Sequence, residues 1–224
     1  MSGMQAYLPR IESAMRALSM DSDTSAAPLM LQYLEQLQRW NRTYNLTAIR
    51  DPERMLVQHV FDSLAVVPLI RRLVAGQDNH VVDMGTGAGL PGIILAICEP
   101  GWQFTCVDAV QKKTAFVQQA AGVLRLSNVQ TIHGRIETID SLGANVVISR
   151  AFASLRDFVQ LSERHLSDSG MMLAMKGHVL DEEREDLKRD TDWRIAGEYP
   201  LQVPELDAQR CLIHLGLKEI HERR

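Results

Sequence analysis

The chain has 224 residues, 46% of them hydrophobic and 23% charged, which suits one large globular domain or a main domain with a smaller helical attachment and excludes disordered and fibrous classes. A formal net charge of −4 excludes a protein that grips bare nucleic acid by bulk electrostatics, although a local basic patch would still serve an RNA presented inside a ribonucleoprotein. No apolar run reaches the roughly 20 residues that cross a bilayer, and Met1 to Arg10 has no cationic stretch leading into an apolar one, so a cytoplasmic protein is expected. Cys98, Cys106 and Cys211 are widely spaced and form no CxxC pattern, and the seven histidines form no HExxH, so no metal site is expected. Cys98 and Cys106 lie in apolar segments and read as small hydrophobes.

Residues 1–75 read as helical throughout. Met30, Tyr33, Leu34, Leu37, Trp40 and Tyr44 recur at three- and four-residue intervals, one buried stripe, with Pro28 in the first turn. The Asp51-Pro52 pair starts the next helix, which carries Met55, Leu56, His59, Val60, Ser63 and Leu64. His59, Asp62 and Ser63, about one turn apart, read as a hydrogen-bonded contact between this helix and the main domain rather than as catalytic groups. Arg39, Arg42, Arg50 and Arg54 lie close together in this otherwise charge-balanced region.

After Gly76 the pattern turns to short apolar runs alternating with helices. Strands are predicted at 80–84, 103–108, 128–133, 145–149 and 171–175, with helices at 91–98, 111–126, 155–166 and 180–189. Segments 193–199 and 211–217, joined across Pro200 and Pro204, read as a closing antiparallel pair. The expected fold is thus α/β: a doubly wound, mostly parallel sheet over 76–224 with an N-terminal helical extension over 1–75. The acidic run 181–192 reads as a solvated helix face.

Chemistry concentrates where the first strand runs into Asp83-Met84-Gly85-Thr86-Gly87-Ala88-Gly89-Leu90-Pro91-Gly92. Glycines permit positive φ and let the backbone approach a nucleotide-like ligand. The dinucleotide fingerprint GxGxxG would need its third glycine where Leu90 stands, which disfavours nicotinamide. What remains, Asp-x-Gly-x-Gly-x-Gly, resembles the first motif of the Rossmann-like class I methyltransferases, and the cofactor is expected to be S-adenosylmethionine. It has no pyrophosphate to seat, so close packing by a third helix glycine is expected to be less needed, and Asp83 can face its cationic amino-acid end. Asp108, at the end of the second strand, can accept both ribose hydroxyl protons; the alternative is a helix-capping Asp before Lys112-Lys113. Ile136 and Glu137, after the third strand, are candidates to face the adenine, or else part of an Arg-x-Glu surface pair with Arg135.

The loop after the fourth strand, Ser149-Arg150-Ala151-Phe152-Ala153, holds neither an Asn-Pro-Pro-Tyr-like tetrapeptide nor a Pro-Cys pair. Exocyclic-amine and pyrimidine C5 methylation therefore lose their usual apparatus. Guanine N7 has a lone pair and no proton, so alignment and desolvation suffice, and Arg150 is expected to position cofactor or base without acting as a general base.

Seven ordered motifs make the resemblance specific. They are Trp40-Asn41 with Tyr44 to Ala48, His59 with Asp62-Ser63-Leu64, the glycine loop, Lys112-Lys113, Arg135-Ile136-Glu137, Ser149 to Phe152, and Met175-Lys176-Gly177. Spanning Trp40 to Leu217, they look like the ribosomal RNA small subunit methyltransferase G family, also called glucose-inhibited division protein B. The resemblance implies methylation of N7 of a guanine near the decoding centre, nucleotide 527 of 16S ribosomal RNA, within the small subunit or an assembly intermediate. It also implies cofactor contacts at Gly85, Leu90, Ile136, Glu137 and Arg150, to which the glycine-loop argument adds Asp83, Gly87 and Asp108. The competing expectations are a class I methyltransferase acting on another RNA base or on protein, and a non-catalytic ribosome-assembly factor.

Overall fold

A computed structural model describes residues 3–20, 25–74, 79–150, 152 and 154–218. The boundary expected at 75 and 76, and Ala151 and Ala153 of the loop after the fourth strand, lie outside the described residues.

Helix α1 (Leu8–Ala17) buries Ile11, Ala14 and Met15, the spacing of one helical stripe. Helix α2 (Ala26–Tyr44) starts two residues before Pro28, which sits within its first turn, and buries Met30, Tyr33, Leu34 and Leu37. The stripe fades toward the carboxyl end: Trp40 is half-buried against the Phe116 ring at 5.6 Å, and Tyr44 is 46% exposed. The helix stops at Asn45, whose left-handed φ of 48 is one a short polar side chain tolerates.

Beyond Asp51, whose Oδ1 accepts from the Glu53 amide at 3.3 Å, the chain is helical but not uniformly α. A four-residue α3 (Pro52–Met55) passes into a π-helical stretch (Leu56–Phe61) and then α4 (Asp62–Leu64) and α5 (Val67–Leu73). Periodicity predicts an ordinary helix here; π insertions are found disproportionately at functional sites, and this one carries His59.

The sheet strands are β1 (His80–Met84), β2 (Gln103–Asp108), β3 (Val129–His133), β4 (Ala144–Ser149), β5 (Leu166–Lys176), β6 (Trp193–Pro200) and β7 (Cys211–Leu217). Their order is β3-β2-β1-β4-β5-β7-β6; the first five are parallel, and β7 runs antiparallel to both β5 and β6, the closing pair that the sequence predicts. Helices α6 (Gly92–Cys98), α7 (Gln111–Leu124), α8 (Leu155–Ser162) and α9 (Asp181–Asp190) complete the crossovers. The largest departure lies at β5, which starts at Leu166 rather than 171. Helix α8 ends at Ser162, a 3-10 turn follows (Glu163–His165), and Leu166 already pairs with Ala144 across an irregularity in the ladder.

Alternate residues of β1 serve opposite layers. Val81 joins a cluster with Ile93, Leu95, Phe116 and Val117 that continues through Leu34, Leu37, Leu56 and Phe61. Val82 and Met84 join the other, with Val147, Phe158 and Trp193. The N-terminal helices therefore share an apolar core with α6 and α7 instead of hanging from the sheet as a separate attachment. Strand order reverses between β1 and β4, which opens a crevice at their carboxyl ends, where ligands of such sheets bind.

Candidate active site

The loop between β1 and α6 is held from three sides. Gly85, Gly87 and Gly89 have φ of 67, 61 and 82, the left-handed region that glycine enters without strain. From below, Asp83 Oδ2 accepts from Thr86 Oγ1 at 2.5 Å and from the Gly92 amide at 2.9 Å. From the second strand, Asp108 Oδ2 accepts from the Gly87 amide at 2.9 Å while its Oδ1 accepts from the Val110 amide at 2.9 Å. From α2, the buried Tyr33 hydroxyl donates to the Ala88 carbonyl at 2.6 Å.

These contacts alter two expectations. Asp83 is 1% exposed and does not line the cavity; its carboxylate is turned under the loop, where burial pushes its pKa up to about 6 against the opposing pull of Thr86 and Gly92. Close packing, expected to be less needed, is also present: a Cβ at Gly92 would lie 2.7 Å from Cys106 Sγ and 2.9 Å from Asp83 Oδ2. Close packing at the start of α6 is thus required, two residues later than in the dinucleotide fingerprint.

A cavity of about 230 Å³ opens above the loop. Of the residues expected to bind cofactor, Gly85, Gly87, Leu90 and Arg150 line it, and Asp108 stands at its edge through its bond to Gly87. A Cβ at Gly87 would meet nothing nearer than the Gly85 carbonyl oxygen at 4.0 Å, so the backbone there is open to a ligand, and the cradle fits a nucleoside-like cofactor. Ile136 and Glu137 are not in this lining: they form a 3-10 turn (Ile136–Thr138) in which Ile136 is half-buried and Glu137 exposed. The preceding Gly134 amide donates to the Asp108 carbonyl at 3.1 Å, which sets that turn beside the carboxyl end of β2.

The opposite wall comes from the N-terminal helices, where Leu46, Thr47 and His59 face the loop together with Lys113 of α7. The segment 41–48, which reads in the sequence as a border of the cofactor or RNA entry without chemistry of its own, does line this cavity: Thr47 Oγ1 lies 2.9 Å from His59 Nε2, and Asn41 holds the segment by accepting from the Thr47 amide at 2.8 Å. Burial, followed by the neighbouring Arg150 charge, depresses the His59 pKa to about 4, so its ring is neutral at pH 7.

Arg150 anchors the site's far side. Its Nη1 donates to the Gln58 carbonyl at 3.0 Å and to Asp62 Oδ2 at 3.1 Å, and Nη2 lies 3.5 Å from His59 Nδ1. Asp62, 3% exposed, accepts on its other oxygen from Arg210 Nε at 2.9 Å. The helix–domain contact expected for His59 and Asp62 is present, and Ser63 is fully buried beside them. Arg210 carries no motif in the sequence; only the antiparallel return of β7 brings it here. A second cavity, about 380 Å³, lies against Arg150 and His59 and is lined by Asp62, Lys176 and Arg210 among others.

A family model described as rRNA small subunit methyltransferase G matches residues 26–213. The chain belongs to this family. It is 56% identical over 209 residues to a ribosomal RNA small subunit methyltransferase G of Bordetella avium, covering 93% of this chain and 92% of that protein. A namesake from Methylibium petroleiphilum is 42% identical over 214 residues and 96% of each chain. The fold is also that of a SAM-dependent methyltransferase from Aquifex aeolicus, with a TM-score of 0.55 at 16% identity, over 75% of this chain and 94% of that one. Family membership makes the chain a small-subunit rRNA methyltransferase with S-adenosylmethionine as methyl donor. Among the described residues no helix is long and apolar enough to cross a membrane, and no cluster of His, Cys, Asp or Glu could hold a metal ion.

Proposed function

We propose that the chain methylates N7 of a guanine in 16S ribosomal RNA, nucleotide 527, presented within the cytoplasmic small subunit or an assembly intermediate. One observation carries the choice of atom: the wall shared by the two cavities holds a guanidinium and a histidine whose pKa is about 4. So weak a base is a poor proton acceptor at neutral pH, and an amine or hydroxyl acceptor would need one. N7 has no proton to lose.

In this reading the loop backbone at Gly85 and Gly87, with Leu90, cradles the cofactor, and Asp108 faces the ribose from the end of β2. Ile136 and Glu137, beyond the cavity's edge, take the adenine side, and Asp83 acts indirectly by fixing Thr86 and Gly92. Bound S-adenosylmethionine supplies a methyl group activated by its sulfonium. Arg150, held by Gln58 and Asp62, fixes the junction between the cavities so that methyl and acceptor meet in line. The helical region 1–75 contributes one wall of both cavities.

The test is a nucleoside digest together with a primer-extension map, after borohydride reduction and aniline cleavage at 7-methylguanosine, of small-subunit RNA from cells with and without the gene. The expected result is loss of 7-methylguanosine at that one position and its return with the wild-type gene. An unchanged map would refute the assignment.

A further inference from the structure

The cavity beyond Arg150 joins apolar side chains with fixed cationic donors. It holds about 380 Å³, within the usual range for small-molecule sites, with Ile49 and Met175 as apolar lining and Arg150 and Arg210 as donors. Asp62 engages both arginines, one on each carboxylate oxygen, at 3.1 and 2.9 Å. For Arg210 this uses Nε, and Nη1 donates to the Gln209 carbonyl at 2.9 Å. Its Nε–H and one Nη1 N–H are thereby engaged, which orients the guanidinium, and among the described residues Nη2 has no protein acceptor. The hollow also continues: a neighbouring cavity of about 570 Å³ shares Gly177 and Arg210 with it and runs past His178 and Gln209.

The chemistry of the acceptor then sets what Arg210 can do. Arginine ordinarily reads guanine by gripping O6 and N7 together, but a donor on N7 would occupy the lone pair that must take the methyl group. A guanidinium oriented by its bonds at Nε and Nη1 can offer an Nη2 N–H to O6 as a single contact that leaves N7 free. Adenine presents an amino donor where guanine presents O6, so the same nitrogen would meet a donor and reject it. We propose that this cavity receives the acceptor base, that Arg210 selects guanine through O6, and that Asp62 is the positioning residue that aims it. The inference rests on the N7 reading above.

The experiment uses small subunits reconstituted on RNA carrying either guanine or 2-aminopurine at the acceptor position. 2-Aminopurine keeps N7 and lacks O6. Methyl transfer from labelled S-adenosylmethionine is measured for the wild type, Arg210→Ala and Arg210→Lys, with cofactor affinity measured by calorimetry. The wild type should prefer guanine by roughly tenfold or more, as expected for loss of a charge-assisted hydrogen bond. Arg210→Ala should bring the two substrates to nearly equal rates by slowing the guanine reaction, and Arg210→Lys should recover part of the preference. Cofactor affinity should stay within about twofold of wild type in both, which also establishes that they fold. Equal slowing of both substrates by Arg210→Ala would make Arg210 a phosphate contact and overturn the inference, as would wild-type rates on both. A wild type that binds cofactor but does not modify the guanine subunit at N7 would overturn the acceptor reading, and this inference with it.

Discussion

Replacing His59 by glutamine should make the protein less sensitive to acid. The ring is 7% exposed, bonded to Thr47 at Nε2 and set beside Gln58 and Arg150 at Nδ1, and burial and then the Arg150 charge depress its pKa from 6.5 to about 4. In the unfolded chain it titrates near its ordinary value, so between the two values the unfolded state binds the extra proton. The histidine's contribution to stability is therefore complete above about pH 6.5 and is lost as pH falls toward about 4. Integrated from pH 7 to pH 5, the loss is about 2 kcal/mol. Urea unfolding at those two values measures it. His80, His165 and His214 also have lowered pKa values, mainly through burial, but they are common to both proteins and cancel in the comparison. Wild type should lose about 2 kcal/mol more than His59→Gln. Equal losses, within about 0.5 kcal/mol, would refute the claim that this ring is held neutral between the two cavities.

Asp108→Ala should weaken S-adenosylmethionine binding by roughly 1.5 to 3 kcal/mol in calorimetry, because it removes a charged acceptor and frees the Gly87 amide it holds. Gly89→Ala places a Cβ at a φ of +82 and 2.6 Å from Ile93 Cγ1, so a loss of at least about 2 kcal/mol is expected in thermal or urea unfolding. Assembled small subunits should be methylated faster than naked ribosomal RNA, since a chain of net charge −4 has little general attraction for a polyanion; parallel assays with labelled cofactor at matched salt decide it. Arg150→Ala should fold yet transfer methyl groups much more slowly, with Arg150→Lys intermediate because it keeps the charge and loses the planar fork. Since Arg150 is the second cause of the depressed His59 pKa, the Ala variant should also titrate His59 above about 4 by NMR.

Much of the fold is legible because the signals are local. Strands β1 and β2 and the closing pair β6 and β7 follow directly from short apolar runs, and α6 and α7 from the segments between them. The boundary of α8 is less so: apolar spacing carries a helix to Leu166, but that residue is captured by pairing with Ala144, a contact between segments 22 residues apart. The π stretch over Leu56–Phe61 has the same apolar residues a regular helix would use, so composition does not announce it. The glycine loop is legible down to its strand and first helix, yet the roles inside it are not. Asp83 reads as a ligand-facing carboxylate, and only the packed structure shows it tied to Thr86 and Gly92 beneath the loop. Arg210 lies 148 residues from the Asp62 it bonds, so no motif window can join them.

The acidic total and the RNA substrate are compatible because the charges are placed unevenly. Acidic residues of α9 are matched in part by local arginines: Arg189 bonds Asp186 and Asp190, Arg156 reaches Asp190, and Arg184 reaches Glu198 on β6. Such exposed pairs add little stability, but they cancel charge on the α9 side of the sheet. At the junction of the cavities, by contrast, one buried carboxylate, Asp62, is shared by two arginines, which leaves a net positive group there. Lys176, paired with Glu183 at 2.5 Å, closes that side of the cavity without adding to the excess. If the second cavity receives the acceptor base, as proposed above, this excess lies beside that base, and binding should depend on presenting one base to the site more than on the length of backbone available.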